Sequence, residues 1–512
     1  MSTPRTADLL ETLLAEFDAR LALDASAFGL HVERGRLLEL LGRKDEAVQA
    51  YVEVLRHAPN HADALDALGL LCLAAGNRSA ARTLLSGAVL HGSGCAAAHA
   101  HLAYLNVLDE RHDAARTLYE AALRLDPTLA IAHHGYAQLL NRTGDDAGAA
   151  HHRSLGLHYR PITIERCTGE GNPVRLLALE AEARGNIPTD EYFDKRIFEV
   201  AAVAVDHVDP DAALPPHDIV VNVIGEADLC ADALARAAAI VARTNAPVVN
   251  DPAAVAATTR AANARRLGGL DGVVTARTVA VARGVLTGAG AADALAALEF
   301  TFPLLLRSPG HHTGDHFAKV DAPGDLAGAV AALPGSELLV IDYLELRDAH
   351  DCFRKYRVMM VDGRLYPLHL AISRAWKVHY FSADMAESAA HRAEEAAFLS
   401  DMQAVLGPRA GAALERIRDL LGLDYGGIDF TLDAAGNVVV FEANASMIVP
   451  LPEAGERWDH RRAPVAQIHA AVRAMLTNGP ARYRTQQTPA PAAASAASFG
   501  ERAPRAAGAP HS

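Results

Sequence analysis

Asp429, Glu442 and Asn444 carry oxygen donors that could meet on one metal ion. They lie in residues 422–450, GLDYGGIDFTLDAAGNVVVFEANASMIVP, where two apolar runs flank the turn-forming cluster Asp433-Ala-Ala-Gly436-Asn437. That pattern predicts a β-hairpin. With the turn centred between Ala435 and Gly436, simple pairing sets Asp429 opposite Glu442, and Asn444, two residues on, shares a face with Glu442. Opposed like charges repel, and the apolar setting of Ile428, Phe430, Val438, Val440 and Phe441 adds a desolvation cost. Something positive is expected between the two carboxylates. Three oxygen donors on one surface suit Mg²⁺, a hard ion that takes oxygens at about 2.0–2.1 Å and keeps waters or phosphates in its remaining positions. A surface hairpin with solvated acids is the other reading; the apolar sequence around each acid favours the metal.

A chain of 512 residues exceeds what one core can organise and predicts three or so domains. Lys and Arg number 48 against 62 Asp and Glu, a net charge of −14, and no clustered basic stretch is present, which argues against a nucleic-acid partner. Cys72, Cys95, Cys167, Cys230 and Cys352 are scattered without C-x-x-C spacing, so neither a disulfide framework nor a zinc site is indicated. No uninterrupted apolar run approaches the roughly 18 residues of a membrane span, and the expectation is a soluble, cytoplasmic protein without a membrane partner.

Residues 7–23 space leucines and alanines as an amphipathic helix whose apolar face needs a neighbour. That neighbour starts at about Phe28. Pro59 and Pro127 stand two 34-residue periods apart, and between them Leu65-x2-Leu68-Gly69-x2-Cys72 leads to Ala81-x3-Leu85. Gly35, Leu38, Ala47 and Tyr51 precede this copy in register, and Leu102, Ala103, Ala115 and Tyr119 follow it. Gly42, Gly76 and Gly144 share the phase at which one helix turns into the next. A fourth copy, from Ala130 to about Ile162, has Arg153 where Tyr51 and Tyr119 pack, the degradation expected of a terminal unit. The period resembles the tetratricopeptide repeat, which implies a curved array whose groove binds a protein or peptide. His31, His99, His133 and His134 fall on the inner helices and read as packing or groove-lining residues before metal ligands.

After a linker at 169–173, short apolar runs at 174–179, 198–205, 219–223 and 246–250 alternate with helices, as in a parallel sheet. No G-x-G-x-x-G follows the first strand, so a dinucleotide is not indicated. Residues 250–270 read as a helix and 273–280 as a strand. Two strands within 302–320 enclose a loop carrying Gly310 and Gly314, where backbone N–H groups could cradle anionic oxygens. A strand at 338–344 and a hairpin at 356–366 with an Asp362-Gly363 turn follow. Arg374 and Lys377 add positive charge ahead of the metal hairpin. From about Arg482 the Pro, Ala, Ser and Gln composition cannot bury enough surface to order itself.

Asp429 followed thirteen residues later by Glu442-Ala-Asn444 resembles the metal-binding end of the ATP-grasp fold, which includes D-alanine:D-alanine ligase, glutathione synthetase and the RimK-like peptide ligases. The preceding stretch, with Arg184-Gly-Asn-Ile-Pro188 and Val249-Asn-Asp-Pro252, resembles the pre-ATP-grasp domain. By this resemblance Arg260 and Arg307 stand where lysines reach the nucleotide phosphates, and Gly310 and Gly314, with His311 and His312, lie on a flap over ATP. Asp342, Tyr343 and Leu344 form the hinge that meets adenine and ribose. Arg357 lies near substrate or phosphate, Lys377 meets the γ-phosphate with Arg374 nearby, and Asp429, Glu442 and Asn444 hold Mg²⁺ or Mn²⁺. Arginine keeps the charge of the usual lysines but adds a planar fork, so the two are not geometrically interchangeable.

The resulting expectation is multidomain: an N-terminal helix (1–27), an all-α tetratricopeptide solenoid of four repeats (28–163), an α/β pre-ATP-grasp domain (172–270), an α+β ATP-grasp fold (271–480) and a disordered tail (481–512). The implied activity joins carboxylate and amine substrates through an acyl phosphate, using ATP and Mg²⁺, while the repeats recruit a protein or peptide. An ATP-binding adaptor with a degenerate ATP-grasp domain, phosphoryl transfer to another acceptor, and pairing of the repeats with a second copy of the chain stay open.

Overall fold

The computed structural model describes residues 6–92, 94–182, 184–311, 314–378 and 383–483. The first five residues, His312 and the tail from 484 lie outside them. Helix α1 (Thr6–Leu23) leads into four helix pairs: α2 (Phe28–Leu40) with α3 (Lys44–His57), α4 (Ala62–Ala74) with α5 (Arg78–His91), α6 (Ala96–Leu108) with α7 (His112–Leu125), and α8 (Ala130–Arg142) with α9 (Asp146–Tyr159). Each helix packs on the one before it. The pairs close because a small residue on the first helix receives a large one from the second. A Cβ on Gly35 would meet the Tyr51 ring at 2.3 Å, and one on Gly69 would meet Leu85 at 2.8 Å. Tyr51, Leu85 and Tyr119 are buried as a result. The link inside each pair needs a left-handed residue, supplied by Gly42, Gly76 and Gly144 at φ 75°, 79° and 84°. Glu110 takes the same place in the third pair at φ 58°, at a cost of roughly 1 kcal/mol.

Three of the four inner-helix histidines have local hydrogen-bond partners. His31 Nε2 bonds the Ala25 carbonyl (3.1 Å), His99 Nδ1 that of Cys95 (2.9 Å), and buried His133 bonds the Pro127 carbonyl and His152 (both 2.9 Å). The ring of His134 faces Gly156.

The chain leaves α9 directly into β1 (Ile162–Glu165), then β2 (Val174–Glu180), β3 (Phe198–Ala204), β4 (Ile219–Asn222), α10 (Ala231–Val241) and β5 (Val248–Val249). These strands form one sheet in the order β1-β3-β2-β4-β5. β1 is its antiparallel edge and the other neighbours are parallel. Residues 162 and 163, read as the end of the repeats, therefore belong to the sheet. The stretch read as one helix after Asn250 is two, α11 (Pro252–Ala256) and α12 (Arg260–Leu267). Thr259 breaks it by capping the second, its hydroxyl accepting the Ala262 N–H.

The strand expected at 273–280 is likewise two, β6 (Val273–Thr275) and β7 (Thr278–Ala282), which join different sheets. Then come α13 (Arg283–Thr287), α14 (Ala291–Ala297), β8 (Leu304–Arg307), β9 (Phe317–Val320), α15 (Leu326–Ala332) and β10 (Glu337–Asp342). β7-β10-β8-β9 is a small antiparallel sheet with its own core around Leu295, Leu306, Val330 and Leu338. Next are β11 (Phe353–Val361), β12 (Arg364–Ser373), α16 (Ala389–Ser400), α17 (Met402–Leu421), β13 (Tyr425–Leu432), β14 (Val438–Asn444) and α18 (Asp459–Asn478). The third sheet runs β12-β11-β13-β14-β6, with β6 parallel to β14 and the rest antiparallel. Asp362 (φ 51°) and Gly363 (φ 76°) make the expected two-residue turn between β11 and β12.

One hydrophobic cluster joins Leu177, Val220 and Leu234 of the first sheet layer to Ile428, Phe430 and Val438 of the third. The boundary read at 270 and 271 thus divides no core. Asn250 fastens the two layers, accepting the N–H groups of Asp424 (3.0 Å) and Tyr425 (2.9 Å) and donating to the Tyr425 carbonyl (2.9 Å). Residues 481–483, read as the start of the tail, dock here: Arg482 pairs with buried Asp424 at 2.8 Å. Among the described residues no helix is long and apolar enough to cross a membrane.

Candidate active site

Asp433 builds the hairpin turn, accepting the N–H groups of Ala435 (2.9 Å) and Asn437 (2.8 Å) while Gly436 takes φ 76°. Next to the turn Leu432 pairs with Val438, which centres it on Ala435 rather than beyond it. A bulge then adds Phe441 to β14 and shifts the register, so that Asp429 does face Glu442, as the sequence implied. The bulge turns Phe441 outward, 46% exposed, onto the wall of a cavity of about 460 Å³.

The positive charge expected between the carboxylates comes from side chains. Arg357, on β11 opposite Asp429, donates Nε to Oδ1 at 2.5 Å and Nη2 to Oδ2 at 2.7 Å, and Lys355 Nζ reaches Oδ2 at 3.0 Å. Burial by itself would raise the Asp429 carboxyl, but the charges of Arg357 and Lys355 prevail and hold it well below the usual carboxylate range. Arg260, the first residue of α12, donates to Glu442 Oε1 (2.6 Å), to Asp228 Oδ2 (2.7 Å) and more weakly to the His311 carbonyl (3.4 Å). Burial raises the Asp228 carboxyl against the pull of Arg260. Arg307, at the end of β8, donates to the His311 carbonyl at 2.6 Å, and burial lowers its guanidinium pKa despite Glu442.

The donor set fits a hard divalent cation in kind: two carboxylates and an amide on one cavity wall. A metal would share those carboxylates with Arg357, Lys355 and Arg260. Asn444 turns Nδ2 to Glu442 Oε1 (2.7 Å), and its Oδ1 accepts from Ser446 N (3.0 Å) and Oγ (2.9 Å). Among the described residues no group of three or more His, Cys, Asp or Glu is arranged to hold a metal.

Arg260, Arg307, Gly314, Asp342, Tyr343, Leu344, Arg357, Lys377, Asp429, Glu442 and Asn444 line this cavity together. Asp342 ends β10, held by Arg277 at 3.1 and 3.2 Å, and Lys319 lies over the Tyr343 ring at 4.3 Å. Lys377 packs where a Cβ on Gly314 would stand, 2.9 Å away. Two expected site residues fall elsewhere. Gly310 presses on Leu229, where a Cβ would come within 1.9 Å, so its missing side chain serves a close approach of chain to chain. Arg374 is exposed beyond the end of β12 and off the cavity wall.

Lys355, His369, Asn263 and the Phe317–Trp376 edge-to-face pair (5.3 Å) also line the cavity and were not read from the sequence. Lys355 had a signal: it precedes Arg357 by two residues on a strand and so shares its face. His369, opposite Arg357 on β12, had none; burial, reinforced by Arg357, keeps it well below the ordinary imidazole range and neutral. Asn263 gives Nδ2 to the carbonyls of Ala443 (2.5 Å) and Thr258 (3.2 Å), fixing α12 to β14.

Residues 29–61 match the family described as Tetratricopeptide repeat. The N-terminal unit is a tetratricopeptide-type solenoid. Among solved structures the chain is similar to MamA (17% identity, 31% of this chain and 96% of that one, TM-score 0.25). It is similar also to YrrB, described as a TPR protein with an unusual peptide-binding site (20%, 30% and 80%, TM-score 0.24). A third is TTC0263, a thermophilic TPR protein in Thermus thermophilus (18%, 30% and 84%, TM-score 0.27). No curated protein matches the chain. After the solenoid comes an α/β region with mixed sheets.

Proposed function

We propose that the C-terminal region is an ATP-grasp ligase that joins a carboxylate to an amine through an acyl phosphate, and that the solenoid holds a protein or peptide partner for it. The observation that carries this reading is convergence. Arg260, Arg307, Arg357, Asp429, Glu442 and Asn444 come from two sheets and a helix, and they line one cavity beside Asp342, Tyr343 and Leu344. In this reading Asp429, Glu442 and Asn444 would hold Mg²⁺, which when bound neutralises phosphate charge. Arg260 and Arg307 donate to nucleotide phosphates in place of the His311 carbonyl, and the end of β10 meets the base. Catalysis is then positioning and charge stabilisation, with no protein nucleophile.

An adaptor that binds ATP without ligation is the second reading, favoured by the cations already seated on both carboxylates. Unfolding of the full chain with and without Mg²⁺ and ATP separates these outcomes. A ligand at a hundred times its Kd stabilises its site by about 2.7 kcal/mol. The expected result is a raised transition for the native chain and none for Glu442→Ala, with ADP released only when a carboxylate and an amine are both added. A shift without ADP release over a panel of acids and amines supports the adaptor. The absence of any shift in the native chain removes the nucleotide reading.

A further inference from the structure

β11 sets Lys355 and Arg357 on one face, and both point at Asp429. Arg357 alone satisfies that carboxylate, because its planar fork donates to both oxygens at 2.5 and 2.7 Å. Lys355 is then a second cation on one anion, at 3.0 Å, in a place where the Lys355, Arg357 and Asp429 side chains are only 12%, 17% and 3% exposed. The group carries one positive charge in excess. That excess is one of direct contacts: Lys355 and Arg357 both pair with Asp429, while Glu442, which pairs with Arg260, acts on Arg357 from farther off. His369 across the strand is neutral, and Glu394 and Asp348 are taken by Arg354. Holding an uncompensated buried cation is costly unless something anionic arrives beside it. An ammonium has three donors, so Lys355 keeps hydrogen-bonding capacity beyond Asp429. Lys355, Arg357, His369 and Asp429 all line the cavity.

We propose that Lys355 is the residue that recognises the carboxylate of an acid entering this cavity, with Arg357 and Asp429 fixing its position. The excess of a single charge matches a carboxylate, where a terminal phosphate would bring nearly two. Calling that acid the ligase substrate rests on the function proposed above; the anion site itself does not.

The test is binding to the full chain of glutarate, its monomethyl ester and its dimethyl ester, followed by unfolding temperature with and without Mg²⁺ and ADP. The native chain should be stabilised by the two charged probes and not by the neutral diester. Lys355→Met should weaken the charged probes about tenfold or more, the loss expected for a charged hydrogen bond, while Lys355→Arg keeps them. The loss should be specific to the acid: ADP affinity measured without Mg²⁺ should fall less than the affinity for the charged probes in Lys355→Met, since Arg357 still pairs Asp429. Equal glutarate binding by Lys355→Met, or no stabilisation of the native chain by either charged probe, overturns the proposal. A loss of ADP affinity with glutarate binding unchanged would move Lys355 to the phosphates and overturn it too. If ADP fails to bind the native chain while glutarate binding depends on Lys355, the nucleotide reading falls and the acid site stands.

Discussion

The solenoid and the α/β region bury their large residues at very different distances along the chain. Tyr51 packs on Gly35 within one repeat, and the same arrangement recurs at Leu85 and Gly69 a period later. In the α/β region Arg260 reaches Glu442 across 182 residues, and Asn250 reaches Asp424 across 174. A helix pair in the solenoid thus leans on its neighbours alone, whereas the cavity exists only when distant sheets have met. Damage should stay local in the first region and spread in the second.

The largest test of that difference is Asp429→Ala. It leaves Arg357 and Lys355 buried without their counter-charge, an expected loss of about 3–5 kcal/mol. Chemical unfolding should show the C-terminal transition displaced and the solenoid transition unmoved; a shift of both would mean that the two regions fold as one unit. A smaller effect comes from pH. Burial pushes the Asp424 carboxyl up to about 6 from 3.8, with Arg482 and the Asn250 N–H opposing it. The folded state therefore binds the proton more tightly than the unfolded chain, and stability of the C-terminal transition should fall as pH rises from about 4 to about 6. At about 1.4 kcal/mol per pKa unit the change is of order 2–3 kcal/mol, and Asp424→Asn should flatten the slope.

Within the solenoid, Gly35→Ala sets a methyl against the Tyr51 ring and should cost about 1–3 kcal/mol in its own transition. Adding Tyr51→Leu, which replaces the ring by a smaller and more flexible side chain, should return part of that loss; strict additivity would show that the two residues do not touch. The smallest effect is expected at Arg56→Ala, which removes an exposed ion pair with Glu53, and should stay within about 0.5 kcal/mol.

The same contrast explains what could be read from the chain. The helix pairs follow from a repeat of small, large and left-handed positions, although Glu110, which takes the left-handed place in the third pair, was not read from the sequence. Short-range turn chemistry made the two hairpins legible. It missed the Phe441 bulge and the break at Thr259, because each depends on what the neighbouring strand or helix end must satisfy. Gly310 was misread for a related reason: a glycine in a loop signals a close approach, and only the folded chain shows that the approach is to Leu229.

The sequence by itself determined the period of the solenoid and the alternation of strands and helices after it, since both are set by residues near one another along the chain, whereas Asp429 faces Glu442 only through the bulge at Phe441. Tertiary structure decided which cations answer those carboxylates, that 273–282 splits between two sheets, and that Lys355 adds a charge beyond what Asp429 balances. Charge compensation is settled in space at a few ångströms, and residues 74 or 182 positions apart leave no trace of that closeness in their order.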